Sequence, residues 1–203
     1  MAYRETARVR ERKAAQHQAL LTAAERLVRD GGFAALTIQA LAERAGVGVG
    51  TVYRYFRAKD VLAAEVFRMA TEREVAAVRE AVAGDAPVVA RLSHAIRVFS
   101  QRALRAPRLA WALIAEPVDP AVDEARLVYR EAYRDVFAAL IDTGVRRGEL
   151  PAQSPRLVAA ALVGALAEAL LGPLASDASL PATEGDSIQG ITDFCLRAVG
   201  AAA

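Results

Sequence analysis

The residues able to do chemistry are few and do not assemble into a catalytic set. His17 and His94 are the only histidines and Cys195 the only cysteine. No His, Cys and carboxylate group stands at metal-ligand spacing, and there is no Gly-x-Ser-x-Gly nucleophile turn. Gly46-Val-Gly-Val-Gly50 is glycine-rich but follows a helical pattern rather than a strand, so it is no phosphate-cradling loop. Catalytic residues, metal ligands and cofactors are therefore expected to be none, and an all-α enzyme is the weakest reading. What the sequence offers instead is recognition chemistry. Thr51, Tyr53, Arg54 and Tyr55 crowd one short segment, and short polar groups, aromatics and guanidinium groups suit the edges of bases and the flanking phosphates.

Those side chains need a helix to present them. Apolar residues recur at three and four positions along nearly the whole chain, which predicts an all-α protein. Leu20, Ala24, Leu27 and Val28 stripe a first helix from about Glu11 to Asp30, closed by Gly31-Gly32. Thr37 caps a second, to Ala45, and Gly46 closes it. A third spans Val49 to Phe56. Its Val49, Val52 and Phe56 are expected to face inward, leaving Thr51, Tyr53, Arg54 and Tyr55 outward. Two short helices about a glycine turn are the helix-turn-helix arrangement. Lys59 then opens a long helix to Ala83, about 36 Å of rod.

Charge agrees with this placement. Residues 1–59 hold 11 Lys and Arg against 5 Asp and Glu, while residues 60–203 hold 15 against 19. The basic end is the one expected to meet a polyanion. The first ten residues read as a flexible basic arm, since no apolar run follows to make a signal peptide.

Residues 36–62 closely resemble the DNA-binding domain of the TetR family of bacterial transcriptional regulators. The Ala-Gly-Val, Gly-Thr-Val-Tyr-Arg-Tyr-Phe and Lys-Asp-Val-Leu elements stand in the family's order and spacing, and Ala23-Ala24 through Phe33 is similar to its first helix. The resemblance implies a homodimer with an all-helical C-terminal domain that binds a small inducer. By position it implies phosphate contacts at Thr37, Tyr53, Tyr55 and Lys59, base reading at Gln39, and a base-facing helix start at Val49, Gly50 and Thr51. Arg54 joins the candidate DNA-binding residues. Gly48 departs from the serine common there and removes a hydroxyl from the cap. The expected partner is a pseudo-palindromic double-stranded operator, and the expected location is cytoplasmic. A DNA-binding dimer without any inducer is the alternative.

The organisation predicted is an arm at 1–10, a helix-turn-helix domain at 11–58, a connecting helix at 59–83 and a ligand-binding and dimerisation domain at 84–203. Further helices are expected to Arg105, from Pro107, from about Val122 to Arg147, from Pro155 to Gly172, and from Asp186 to Val199. A Pro/Ser/Asp/Gly-containing loop separates the last two. Leu157 to Ala175 approaches the length of a membrane span, but alanine content, Gly164, Pro173 and Glu168 argue for a buried helix of a soluble protein. The interface is expected at Leu157, Ala161, Leu162, Gly164, Leu171, Ile188, Ile191 and Phe194, in a four-helix arrangement between subunits. The alternative is that these residues complete the protomer's own core. The candidate pocket comprises Phe99, Trp111, Glu116, Tyr129, Tyr133 and Phe137.

Overall fold

The computed structural model describes residues 7–175 and 184–201. Among them are nine helices and one 3-10 turn: α1 (Ala7–Gly31), the turn Phe33–Ala35, α2 (Ile38–Ala45), α3 (Val49–Tyr55), α4 (Lys59–Ala81), α5 (Val88–Arg105), α6 (Pro107–Ile114), α7 (Pro120–Arg146), α8 (Pro155–Ala175) and α9 (Glu184–Ala198). The chain is all-α. Residues 7–10 of the expected arm belong to α1; the rest of the arm, and the Pro/Ser/Asp/Gly stretch at 176–183, lie outside the described residues.

Punctuation follows local chemistry. The Thr37 hydroxyl accepts the Ala40 N–H at 3.0 Å and starts α2. Gly46 then turns the chain at φ 64°, a conformation that a side chain would strain. Gly48 caps α3 with backbone alone, as the departure from serine implies. Pro107 and Pro120 each lie in the first turn of a helix, where a missing N–H costs nothing. α8 runs on through Pro173 rather than ending before it; the carbonyl that loses its partner is that of Ala169, on the exposed side.

Two large apolar cores form, with a smaller third cluster of Ala103, Leu104, Ala110, Leu170, Leu174 and Ile188 where α5, α6, α8 and α9 meet. One joins α1, α2, α3 and the first half of α4, and also takes in Leu109 and Ala112 of α6 and Val122 of α7. The other lies among the far end of α4, α5, α7, α8 and α9. α4, about 35 Å long, belongs to both. Cys195 is completely buried in the second core, and burial pushes its thiol up to about 11 from an ordinary 9.0. At pH 8 the thiolate fraction falls from roughly a tenth to roughly a thousandth. Labelling by a disulfide reagent at that pH is expected only on unfolding; rapid labelling of the native protein would contradict the burial.

Candidate DNA-binding surface and effector cavity

α3 is held from behind and open in front. Val52 and Phe56 are completely buried, and the His17 ring of α1 stacks on Phe56 at 4.9 Å while its Nε2 lies 3.1 Å from a Glu65 carboxylate oxygen of α4. Outward stand Tyr53, 52% exposed, Gly50 and Arg54, whose guanidinium donates to the Thr51 hydroxyl at 3.1 Å. Gln39, Thr37 and Lys59 are exposed as well. Three expectations about facing fail, the first being Thr51, which was placed outward and is half-buried. Val49, placed inward, is 39% exposed, because as the first residue of α3 it lies beyond the edge of the packing. Tyr55, placed outward, is half-buried near the His17 ring at 6.1 Å. At 100° per residue Tyr55 is only about 60° round the helix from Val52.

Behind this surface lies a cavity of about 90 Å³ where α4, α5, α6, α7 and α8 meet. Phe67 and Thr71 of α4, Phe99 of α5, Leu109 and Leu113 of α6, and Tyr129, Tyr133 and Phe137 of α7 line it, with Arg102, Arg126, Arg130 and Glu74 at its polar edges. Phe99 and Tyr133 meet edge to face at 5.5 Å. Burial raises the Tyr133 hydroxyl far above its ordinary value; Tyr129 is pushed up to about 12, first by burial and then by donating to Glu72 at 2.8 Å. The cavity leads into an open cleft of about 880 Å³ between α7 and α8, to which Ile114, Arg126, Arg130, Val163 and Ala167 are common.

The structure thus brings Phe99, Tyr129, Tyr133 and Phe137 to one wall and leaves two expected members out. Trp111 sits on another face of α6, packed among Leu104, Leu170, Leu174 and Ile188. Glu116 reaches away from the cavity altogether. Its carboxylate accepts the backbone N–H groups of Phe33 and Ala34 at 2.8 and 3.0 Å, clasping the start of the 3-10 turn. Gly32 makes room for it: φ is 71°, and a Cβ there would come within 2.7 Å of the carboxylate. Arg126 holds the same corner from the cavity side, donating to the carbonyls of Glu116 at 2.8 Å, Leu113 at 3.1 Å and Ala112 at 3.3 Å. A second link ties α4 to α1, where Arg73 donates to both oxygens of buried Glu25 at 2.7 and 2.6 Å. Phe67, Thr71, Arg126 and Arg130 carried no distinguishing mark in the sequence beyond helical spacing.

The expected interface residues divide. Leu157, Ala161, Gly164 and Phe194 are exposed, Leu171 and Ile191 half-buried. Leu162 and Ile188 are not on that face: at 2% and 8% exposure they fill the protomer's own core.

A helix-turn-helix on a basic surface, backed by a helical domain with its own cavity, defines a DNA-binding regulator. The chain belongs to the TetR family of bacterial regulatory proteins: the family's N-terminal model matches residues 20–66, and the model described as the tetracyclin repressor-like C-terminal domain matches residues 85–170. No curated protein matches the chain. Among solved structures it is similar to the transcriptional regulator FadR from Bacillus subtilis in complex with stearoyl-CoA, at TM-score 0.76 and 16% identity, covering 90% of this chain and 99% of that one. RolR in complex with resorcinol is similar at 0.69 and 19%, covering 95% and 91%. AibR in complex with isovaleryl coenzyme A and operator DNA is similar at 0.65 and 18%, covering 88% and 97%.

Proposed function

We propose that the protein is a cytoplasmic, homodimeric repressor, without enzyme activity, that leaves a pseudo-palindromic operator when a small apolar or amphipathic molecule fills the cavity. The observation carrying this reading is that the cavity's walls are also the parts tied to the DNA-binding end. Phe67 and Thr71 stand on α4 within two turns of Arg73, which grips Glu25 of α1; Arg126 holds the corner whose Glu116 grips the turn before α2. A molecule that pushes α4 and α7 apart moves both grips, and with them the spacing of the two recognition helices. Ligand-bound relatives of the same architecture, holding stearoyl-CoA, isovaleryl coenzyme A and resorcinol, support a ligand-responsive domain. The ligand need favour the released arrangement by only about 1.4 kcal/mol for each tenfold of operator affinity.

In this reading α8 and α9 meet their counterparts across a two-fold axis, and the two α3 helices enter successive major grooves about one helical turn apart. Thr37, Tyr53, Tyr55 and Lys59 contact phosphates, with Arg54 beside them; Gln39, Val49, Gly50 and Thr51 face bases. Tyr55 does so with its hydroxyl alone, its ring being packed. The test begins by selecting the operator from random-sequence DNA with the wild-type protein. Lys59→Ala is then expected to weaken binding to operator and unrelated DNA alike and to reduce the salt slope by about 1 for each phosphate no longer neutralised. Unchanged affinity and slope in an anisotropy titration would remove Lys59 from the interface. Substitutions at Gln39 or Thr51 are expected instead to change which sequence is selected.

A further inference from the structure

The wall of the cavity carries a surplus of positive charge. Arg102, Arg126 and Arg130 border it against the single carboxylate of Glu74. Arg102 and Glu74 neutralise each other through two hydrogen bonds, at 2.6 and 2.9 Å. Arg126 and Arg130 stand one turn apart on α7, Arg126 already paired with Asp123 and Arg130 not so paired among the described residues. The Arg126 side chain is 13% exposed, and its carboxylate partner, Asp123, is 57% exposed and so on the solvent side. Arg130 stands at the mouth, common to cavity and cleft, and makes no ion pair among the described residues. Burial disfavours the Arg126 charge, Asp123 and Glu116 offset part of this, and the neighbouring Arg130 presses the same way as burial. An anion between the two guanidinium groups relieves both costs, and a carboxylate matches their planar donor forks.

A second demand comes from α4. Thr71 is 4% exposed, lines the cavity, and its hydroxyl has no hydrogen-bond partner. A buried hydroxyl left unpaired is costly, and a ligand atom entering the cavity can pair it. Apart from the Tyr129 and Tyr133 hydroxyls the remaining wall is apolar: Phe67, Phe99, Leu109, Leu113, Phe137 and Leu166. About 90 Å³ is less than the roughly 150 Å³ of an apolar cavity that takes benzene, so the enclosed part holds a short branched chain and a ring must extend into the adjoining cleft.

We propose that the effector is a small monocarboxylate whose carboxylate lies on Arg126 and Arg130, whose apolar body fills the space between α4 and α7, and whose hydroxyl or carbonyl group pairs with Thr71. This rests on the reading of the cavity as the effector site. It also joins recognition to response. The guanidinium that receives the carboxylate is the one that holds the carbonyls of Ala112, Leu113 and Glu116, so engaging the ligand draws donors from the corner that clasps the DNA-binding end.

The test is calorimetric titration of the full-length protein with benzoate, the three hydroxybenzoates and isovalerate, alongside phenol, benzyl alcohol and isovaleryl coenzyme A. The proteins compared are wild type, Arg130→Gln and Thr71→Val; the first substitution is on the surface and the second conserves shape, and thermal melting checks both. The expected result is at least tenfold tighter binding of a carboxylate than of its neutral counterpart. Arg130→Gln is expected to erase that advantage while leaving phenol unchanged, and Thr71→Val to bring the best hydroxybenzoate to the level of benzoate. Phenol or benzyl alcohol binding as tightly as the acids, or carboxylate affinity indifferent to Arg130→Gln, overturns the anion site and leaves the cavity an effector site for a neutral molecule. Isovaleryl coenzyme A binding where isovalerate does not overturns the free carboxylate. Failure of every probe, acid and neutral alike, overturns the reading of the cavity together with the inference.

Discussion

Gly164→Arg is expected to yield monomers with operator affinity at least 100-fold below that of the wild type. Gly164 is exposed on α8, and a Cβ built there meets nothing within 4 Å, so the protomer itself accommodates the new side chain. Gly164 also borders the cleft between α7 and α8, but a monomer can come only from losing what covers that face. The stretch Pro155–Leu174 has a mean hydropathy of 2.0 but is only 28% buried, and Leu157 at 70% and Phe194 at 50% extend the apolar surface. A face of this kind calls for a partner, and two copies of α8 and α9 about a two-fold axis supply one. An arginine at Gly164 then meets its symmetry mate or an apolar neighbour, and an unpaired charge buried at an interface costs several kcal/mol. Once the dimer separates, each recognition helix binds alone and loses the effective concentration that links the half-sites. Sedimentation velocity and anisotropy together read both effects. Intact dimers with full affinity would place the interface on another surface.

Arg73→Ala is expected to lower the melting temperature by about 5–10 °C, a loss of about 2–3 kcal/mol for a chain of this length. The Glu25 side chain is 7% exposed and receives two hydrogen bonds from Arg73; Arg29, 3.6 Å away, is the other cation near it. Removing the guanidinium leaves a buried carboxylate with one long, exposed partner. The figure is held below that of a fully buried pair because Arg73 itself is 51% exposed and shares its charge with water. A double-mutant cycle with Glu25→Ala, followed by thermal melting, isolates the pair; a coupling near zero would mean that this pair does not help join α1 to α4.

Much of this architecture was legible in residue order. Glycine and proline mark helix ends through backbone rules that operate within a few residues, and Gly46 and Pro107 behave as those rules require. The recognition helix was legible for the same reason, its buried Val52 and Phe56 being set by periodicity. The sequence did not tell which way a helix faces when several neighbours compete for it. α6 turns Leu109 and Leu113 to the cavity and Trp111 elsewhere, a choice made by α8 and α9. Nor does any local pattern announce that Glu116 bonds to backbone 82 and 83 residues earlier. The cation pair on α7 was hidden because arginines four apart look the same on a solvated face as on a cavity wall.

The first apolar core has a consequence for recombination. Leu109, Ala112 and Val122 come from the C-terminal part of the chain yet are 3%, 0% and 0% exposed within the cluster that supports α1 to α3. A graft that joins residues 1–58 to the effector half of another regulator severs that cluster and leaves the Phe33 and Ala34 N–H groups without their Glu116 acceptor. Interchangeable sensing and reading halves are therefore not what this chain offers: a working chimera must transplant α4, α6 and the first turn of α7 along with the reading head, so drift in the sensor is constrained by the fit of the reader.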